Sequence, residues 1–308
     1  MRRLLILWIT LTLCLFGAWQ AQSQFIGQGV WRTVPSATGC AESTSFIART
    51  SGMDTTHQTA FSTLICSLVS NGVWAKLDVL YVFATNSSAN ALLNLKSSSY
   101  AGTANGSPTF TADAGFLGVD ASGTVYIDTG FNPNTASGNY AANSKSLSAW
   151  SNTNAASSAG GGAVIGYFVS GLGAGTCNGA ATTCLDGVYP DYSSTGSIYY
   201  LDAISANVAN ANSTGHYLVN KTGSNLVTGY KNATSAGSNN ATANSPLESQ
   251  NMYVLALGTN GGIGAAGGGY QIMAASIGGG LTAGNITVLC HDLNLYLTTI
   301  ASVSSGIC

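Results

Sequence analysis

Acid–base chemistry needs clustered titratable side chains, and this chain has few to cluster. Only 6% of its 308 residues are charged, against roughly a quarter in an average globular protein. The two glutamates, Glu42 and Glu248, lie far apart in the chain. Retaining glycoside hydrolysis requires two carboxyl groups about 5–5.5 Å apart, and neither glutamate belongs to a motif that would build such a pair. An aspartate pair is conceivable among Asp113, Asp120, Asp128, Asp186, Asp191 and Asp202. The first three fall at expected turns and strand ends, where aspartate is common because it bonds its own backbone. His216 is the one histidine on an expected strand and reads as hydrogen-bonded to a neighbour. There is no Gly-x-Ser-x-Gly elbow and no His-Glu-x-x-His. Gly262-Ile-Gly-Ala-Ala-Gly267 matches G-x-G-x-x-G, but Gly268 to Ile272 after it reads as a strand. Without a helix N-terminus there is no phosphate cradle, so this segment reads as a flexible loop. The expectation is a protein that is not an enzyme.

Binding chemistry is better supplied. Sugar recognition uses aromatic faces beside neutral hydrogen-bonding groups and needs no net charge. Trp150, Tyr167, Tyr199, Tyr200, Tyr230 and Tyr270 lie on expected strands. Successive strand residues face opposite ways, so Tyr199 and Tyr200 cannot both enter one core. The segment Gly171–Asp191 reads as a loop held by Cys177 and Cys184, with Tyr189 and Asp191 on its rim. The candidate ligand-binding residues are therefore Trp150, Tyr199, Tyr200, Tyr189, Asp191 and His216.

Export is expected from the N-terminus. Arg2 and Arg3, an apolar run from Leu4 to Trp19 and the small-x-small site Ala21-Gln22-Ser23 read as a signal peptide over residues 1–23. The run is about 16 residues, short of the roughly 20 that span a bilayer. Without Arg2 and Arg3, nine Lys/Arg become seven against eleven Asp/Glu. That weakly acidic balance has no basic stripe, which argues against nucleic acid. Six cysteines remain, an even number behind a signal peptide, which fits disulfides in an oxidising compartment. Sequence does not choose the pairing. Proximity suggests Cys40–Cys66, Cys177–Cys184 and Cys290–Cys308, and no C-x2-C spacing suggests a metal. The expected location is secreted, periplasmic or cell surface, with no membrane span after cleavage. Seven N-x-S/T sequons, at Asn86, Asn105, Asn212, Asn220, Asn232, Asn240 and Asn285, follow from the Asn/Ser/Thr content.

The elements that would position these residues change character along the chain. Residues 24–100 read as a helical segment. Within it 53–72 has helical periodicity, with Asp54 as cap and Asn71-Gly72 as stop, and 89–95 is a short helix. Residues 101–308 read as short strands between Gly/Ser/Asn loops, the pattern of a sandwich or jelly roll. Expected strands are Thr109–Phe116, Thr124–Thr129, Ser146–Ser151, Ala163–Val169, Ile198–Ile204, His216–Lys221, Leu226–Lys231, Met252–Leu257 and Tyr270–Ile277. His216–Lys221 and Leu226–Lys231 form a hairpin. A helix over 283–300, capped by Thr282, closes the chain with Ile286, Leu289, Leu293, Leu297 and Ile300 as its apolar stripe.

Ser107 to Phe116 with Tyr126-Ile-Asp-Thr-Gly130, the hairpin Gly215-His-Tyr-Leu-Val219 to Gly229-Tyr-Lys-Asn-Ala233, and Ala275 to Thr282 before a helix together resemble the concanavalin A-like (laminin G-type) lectin/glucanase superfamily. The turn Asn232-Ala233 departs from that superfamily's Asn-Gly. The upstream run Ala48–Asp54 through Gly72–Tyr81 resembles a segment that precedes this domain in uncharacterised secreted bacterial or phage proteins. The resemblance implies a concanavalin A-like jelly roll of two antiparallel sheets. The glucanases' Glu-x-Asp-x-(x)-Glu strand is missing here, and the lyases' Gln-Ile-His reads Gln271-Ile272-Met273. Only Arg32 and Arg49 remain to hold a uronate carboxylate. What it implies is a non-catalytic glycan-binding or adhesion protein whose partner is a carbohydrate or cell-surface glycan. The alternative is a structural surface or virion decoration protein without a small ligand, and a polysaccharide hydrolase or lyase is the third reading. No cofactor is expected; calcium is the one ion the resemblance admits, through Asp and backbone oxygens.

Overall fold

The computed structural model describes residues 22–26, 30–34 and 39–308, apart from 120–123, 156–161, 171–182, 193–195, 203, 241–246, 260–261, 302 and 304–305. The expected signal peptide over 1–23 thus lies almost wholly outside the described residues. Residues 1–36 form one unit and 37–308 another. In the first, β1 (Gln22–Ile26) and β2 (Val30–Val34) make an antiparallel hairpin.

In the second unit, the two long helices form where the sequence caps them. After α1 (Ala41–Ile47), α2 (Thr55–Ser70) starts at Asp54, whose carboxylate accepts from His57 N at 3.0 Å. It stops at Asn71, followed by Gly72 at φ 71°. β3 (Leu77–Val82) and α3 (Ser88–Ala91) come next. The strands continue as β4 (Thr103–Asn105), β5 (Thr109–Thr111), β6 (Gly115–Leu117), β7 (Tyr126–Asp128), β8 (Lys145–Ser151), β9 (Ile165–Ser170) and β10 (Thr183–Tyr189). They are followed by β11 (Ser197–Leu201), β12 (Ile204–Val208), β13 (Gly215–Lys221), β14 (Val227–Lys231) and β15 (Thr234–Asn239). The last are β16 (Tyr253–Val254), β17 (Ala256–Thr259), β18 (Gly262–Ala266) and β19 (Gln271–Gly278). The closing helix α4 (Ala283–Ile300) begins with a reciprocal capping box between Thr282 and Asn285.

Two sheets stack as a sandwich. One has eight strands in the order β15-β14-β13-β8-β19-β6-β5, with β3 also on β19; the other has nine, β12-β11-β10-β9-β16-β7-β4, with β17 on β9 and β18 on β17. Pairing is antiparallel except for β17 against β9. Between the sheets lie Tyr81, Leu147, Ala149, Tyr167, Val188, Tyr199, Tyr217 and Val219. The opposite face of the eight-stranded sheet carries Trp150, Leu218 and Met273 and packs against Phe46, Phe61, Leu64, Ile286, Leu289, Leu293 and Leu297 of the helices. Phe61 touches both Phe46 and Tyr296, with ring centroids 4.8 and 4.7 Å apart. This sheet is therefore covered on both sides, and all seven residues of β8 are buried.

The expected helical segment 24–100 is not a unit of its own. β3 pairs with β19, Leu80 against Ser276 and Val82 against Ala274, so residues 37–100 supply a strand and the helical layer of the sandwich itself. Three other expectations are corrected. Thr109–Phe116 and Ile198–Ile204 are each broken into two strands, at Asp113 (φ 60°) and Asp202 (φ 55°). The G-x-G-x-x-G segment is strand β18 paired with β17, not a loop. The segment 171–191 contains β10, paired with both β9 and β11. Disulfides join Cys40 to Cys66, tying α1 to α2, and Cys290 to Cys308, tying the C-terminus to α4. The Cys177–Cys184 pairing lies outside the described residues because Cys177 does.

Candidate functional site

Strand alternation sends the sequence candidates to three different places. Trp150 and His216 are opposite each other on β8 and β13; they face the helical layer and are each 1% exposed. Tyr199 is fully buried between the sheets. Neither Trp150, Tyr199 nor His216 therefore presents a ring to a ligand: they are core residues in this fold. Asp191 is also buried; its carboxylate accepts from Gly196 N at 3.4 Å and its carbonyl from the Tyr270 hydroxyl at 3.3 Å. Tyr189 and Tyr200 point away from the core, onto the outer face of the nine-stranded sheet, because they occupy the alternate register of β10 and β11.

On that outer face, Tyr189 gathers with Tyr192 and Tyr200, each edge-on to it at 5.5 and 5.9 Å. Phe168, Leu185 and Leu257 complete the cluster. Tyr192 and Tyr200 are half-buried, Tyr189 nearly covered. Two glycines lie among them. Gly166 and Gly187 are paired across β9 and β10, and Gly187 pairs on its other side with Tyr200. A side chain at Gly187 would meet Leu257 Cδ2 at 3.0 Å. Gly166 and Gly187 are themselves buried, with Leu257 packed over Gly187, so the part of the cluster that reaches the surface is Tyr192 and Tyr200 with their phenolic edges. Burial, the largest influence, holds the Tyr200 phenol above its ordinary pKa, so it is a neutral hydroxyl that donates and accepts.

The most polar cluster lies inside the sandwich and was not anticipated as a group. Lys145 and Lys221 are directly opposite each other where β8 and β13 pair, an arrangement that like charges disfavour. Both point between the sheets and are essentially unexposed. The other sheet supplies two carboxylates. Lys145 Nζ donates to Asp186 at 2.8 Å and to Asp202 at 2.5 Å, and Lys221 Nζ donates to the other Asp202 oxygen. Asp186 also accepts from the hydroxyls of Tyr140 at 2.5 Å and Tyr167 at 3.0 Å and from Asp202 N at 2.6 Å. The adjacent carboxylates hold the Lys145 ammonium above its ordinary pKa despite full burial. Two cations and two anions thus neutralise one another in the core. In sequence, the signal was a lysine at an inward register position at the end of each of two apolar strands.

Two smaller polar features lie elsewhere in the fold. His57 bridges two carboxylates, with Nδ1 2.6 Å from Asp54 and Nε2 2.8 Å from Asp113, joining α2 to the β5–β6 turn. A cleft of about 440 Å³ beside α1 is lined by Glu42, Arg49 and Lys96. Its cations are already spent on the fold, since Arg49 donates to the carbonyls of Ser97, Asn94 and Leu95 and Lys96 to that of Trp74. Among the described residues no three His, Cys, Asp or Glu side chains gather where a metal could be held. Nor is any described helix long and apolar enough to cross a membrane.

No family model and no curated protein matches the chain. Among solved structures it is similar to domain 4 of AbnA, an extracellular arabinanase from Geobacillus stearothermophilus, determined with arabinotriose: 13% identity, TM-score 0.45, 70% of this chain and 98% of that one. It is also similar to the binding domain of botulinum neurotoxin serotype D, at 11% identity and TM-score 0.45, and to a Trypanosoma rangeli sialidase mutant, at 9% and 0.44. The match covers 72% of this chain and 53% of the toxin domain, and 76% of this chain and 39% of the sialidase.

Proposed function

We propose that this is an exported, non-catalytic glycan-binding or adhesion protein of concanavalin A-like type, which takes carbohydrate on the outer face of β9–β11. The supporting observation is the cluster of Tyr189, Tyr192 and Tyr200, in which Tyr192 and Tyr200 are half-buried. Aromatic rings stack on the apolar faces of sugar rings, and phenolic hydroxyls meet their edges. The test is a glycan array with residues 24–308, in calcium and then in chelator, repeated with Tyr192→Ala and Tyr200→Ala. Saturable binding that both variants weaken supports the reading. A blank array with folded protein overturns it.

A second reading is a structural surface or virion decoration protein. It is favoured by the use of Lys145, Lys221, Asp186 and Asp202 inside the core, which leaves an already charge-poor chain with still fewer surface charges to oppose close packing. A purified protein that assembles into oligomers or sediments with a larger particle supports it; a strictly monomeric protein counts against it.

A further inference from the structure

The buried cluster puts a primary amine in contact with a carboxyl group between the sheets, with a second carboxylate beside both. We propose that Lys145 Nζ and Asp202 Cγ condense to an intramolecular amide, formed by the folded chain itself, that covalently joins the two sheets.

Asp202 is the acceptor because of how its oxygens are held. One contacts the Lys145 ammonium at 2.5 Å and the other the Lys221 ammonium. Both draw electron density from Cγ, and Lys221 faces the oxygen on which charge builds when an amine adds. Asp186 is the proton carrier. Its carboxylate lies 2.8 Å from Lys145 Nζ and is held in place by the Tyr140 and Tyr167 hydroxyls and the Asp202 N–H. Asp202 sits at φ 55° between β11 and β12, and contacts from Lys145 and Lys221 to its two oxygens hold its carboxyl in place.

The step balances within the cluster. The Lys145 ammonium passes a proton to Asp186, and the free amine attacks Asp202 Cγ, forming the C–N bond. The nitrogen then loses a second proton. As the tetrahedral centre collapses, one C–O bond of Asp202 breaks, and that oxygen leaves with both protons as water. Ammonium and carboxylate become amide and water, with no oxidant or reductant and no change in net charge. Lys221 and Asp186 remain as one cation and one anion. The driving force is the desolvation penalty of two buried ions, which a neutral amide removes. Tyr140, whose ring centroid is 5.5 Å from Lys145 Nζ, and Tyr167 wall the site off from bulk water, which disfavours the reverse hydrolysis.

Intact mass spectrometry of the purified full chain, with disulfides reduced and the N-terminus identified by fragmentation, tests this directly. The expected mass is one water below that of the sequence. Digestion should give one branched peptide joining Lys145 to Asp202, with no tryptic cut after Lys145. Lys145→Arg keeps the charge but cannot form the amide, so it should have the full mass. Asp186→Asn should slow or abolish the loss of water. A full-mass wild type overturns the proposal, and so does a water loss that persists in Lys145→Arg or maps to Lys221 or to Asp186. If Lys145→Arg does not fold, the wild-type branched peptide decides: found, it supports the bond; absent, it overturns it.

Discussion

His216 lies against Trp150 beneath the helical layer, ring centroids 5.8 Å apart and tilted by 30°, and neither of its ring nitrogens has a hydrogen-bond partner among the described residues. Burial pushes its pKa down to about 3, below the roughly 6.5 of an unfolded chain. Between these values the unfolded state binds the proton and the folded state does not. The stability from keeping His216 neutral is thus fully present above pH about 6.5 and is lost as the pH falls toward 3, at up to about 1.4 kcal/mol per pH unit. Denaturant midpoints at several pH values check this. Other carboxylates add to acid unfolding, so the readout is the difference from His216→Leu, which should show the shallower slope and be at least as stable at pH 7.

The β14–β15 turn places both Asn232 (φ 51°) and Ala233 (φ 61°) in the left-handed region. A two-residue hairpin turn of this kind suits Asn-Gly, and alanine there is strained by about 1–2 kcal/mol. Ala233→Gly should raise stability by roughly 0.5–1 kcal/mol after the added freedom of the unfolded chain is counted. Asn232→Ala should lower it, because the Asn232 side chain accepts from His216 N at 2.9 Å. Thermal melts of the two variants should move in opposite directions.

Gly229 on β14 leaves room for the Tyr199 ring from the other sheet: a Cβ there would lie 2.2 Å from Tyr199 Cδ2. Gly229→Ala should therefore cost roughly 1–3 kcal/mol by overpacking. Combining it with Tyr199→Leu, which removes the clashing ring, should cost less than the sum of the two changes, a coupling that a double-mutant cycle measures.

Tyr199 and Tyr200 are adjacent but should respond oppositely to truncation. Tyr199→Ala empties the space between the sheets and should cost about 3–5 kcal/mol. Tyr200→Ala on the outer face should cost about 1 kcal/mol or less while weakening glycan binding. Urea melts beside binding isotherms separate the two effects.

Cys40–Cys66 closes a loop across a sequence separation of 26, and Cys290–Cys308 one across 18. Chain entropy gives each roughly 3 kcal/mol. Cys66→Ala and Cys308→Ala, compared with wild type in denaturant without reductant, should each lose about that much, with Cys66→Ala loosening the α1–α2 contact first in hydrogen exchange.

Much of the local structure was legible. Asp54 and Thr282 announced the two long helices, the spacing of Ile286, Leu289, Leu293 and Leu297 gave the buried stripe of α4, and nearness in sequence gave two disulfides. β10 was hidden because Cys184 and its glycine-rich approach read as loop, yet Leu185 and Tyr189 alternate with Asp186 and Val188 as a strand should. Of the proposed binding residues, only Tyr189 and Tyr200 share an outward face. Trp150 and His216 were misplaced because a strand's alternation says that two faces differ, not which one meets solvent.

The sequence by itself determined the sandwich class, the helix ends and the alternation of each strand, since caps, turns and period-two patterning act over a few residues. Only the tertiary structure decided that residues 37–100 belong to the sandwich, that helices cover the outer face of the eight-stranded sheet, and that Lys145 and Lys221 meet Asp186 and Asp202. The reason is physical. Pairing β3 with β19, and stacking one sheet on the other, joins residues far apart in the chain, and no local pattern records such a partner. A sheet covered on both faces also buries its serines and lysines with its leucines, which erases the contrast that a sequence reading depends on.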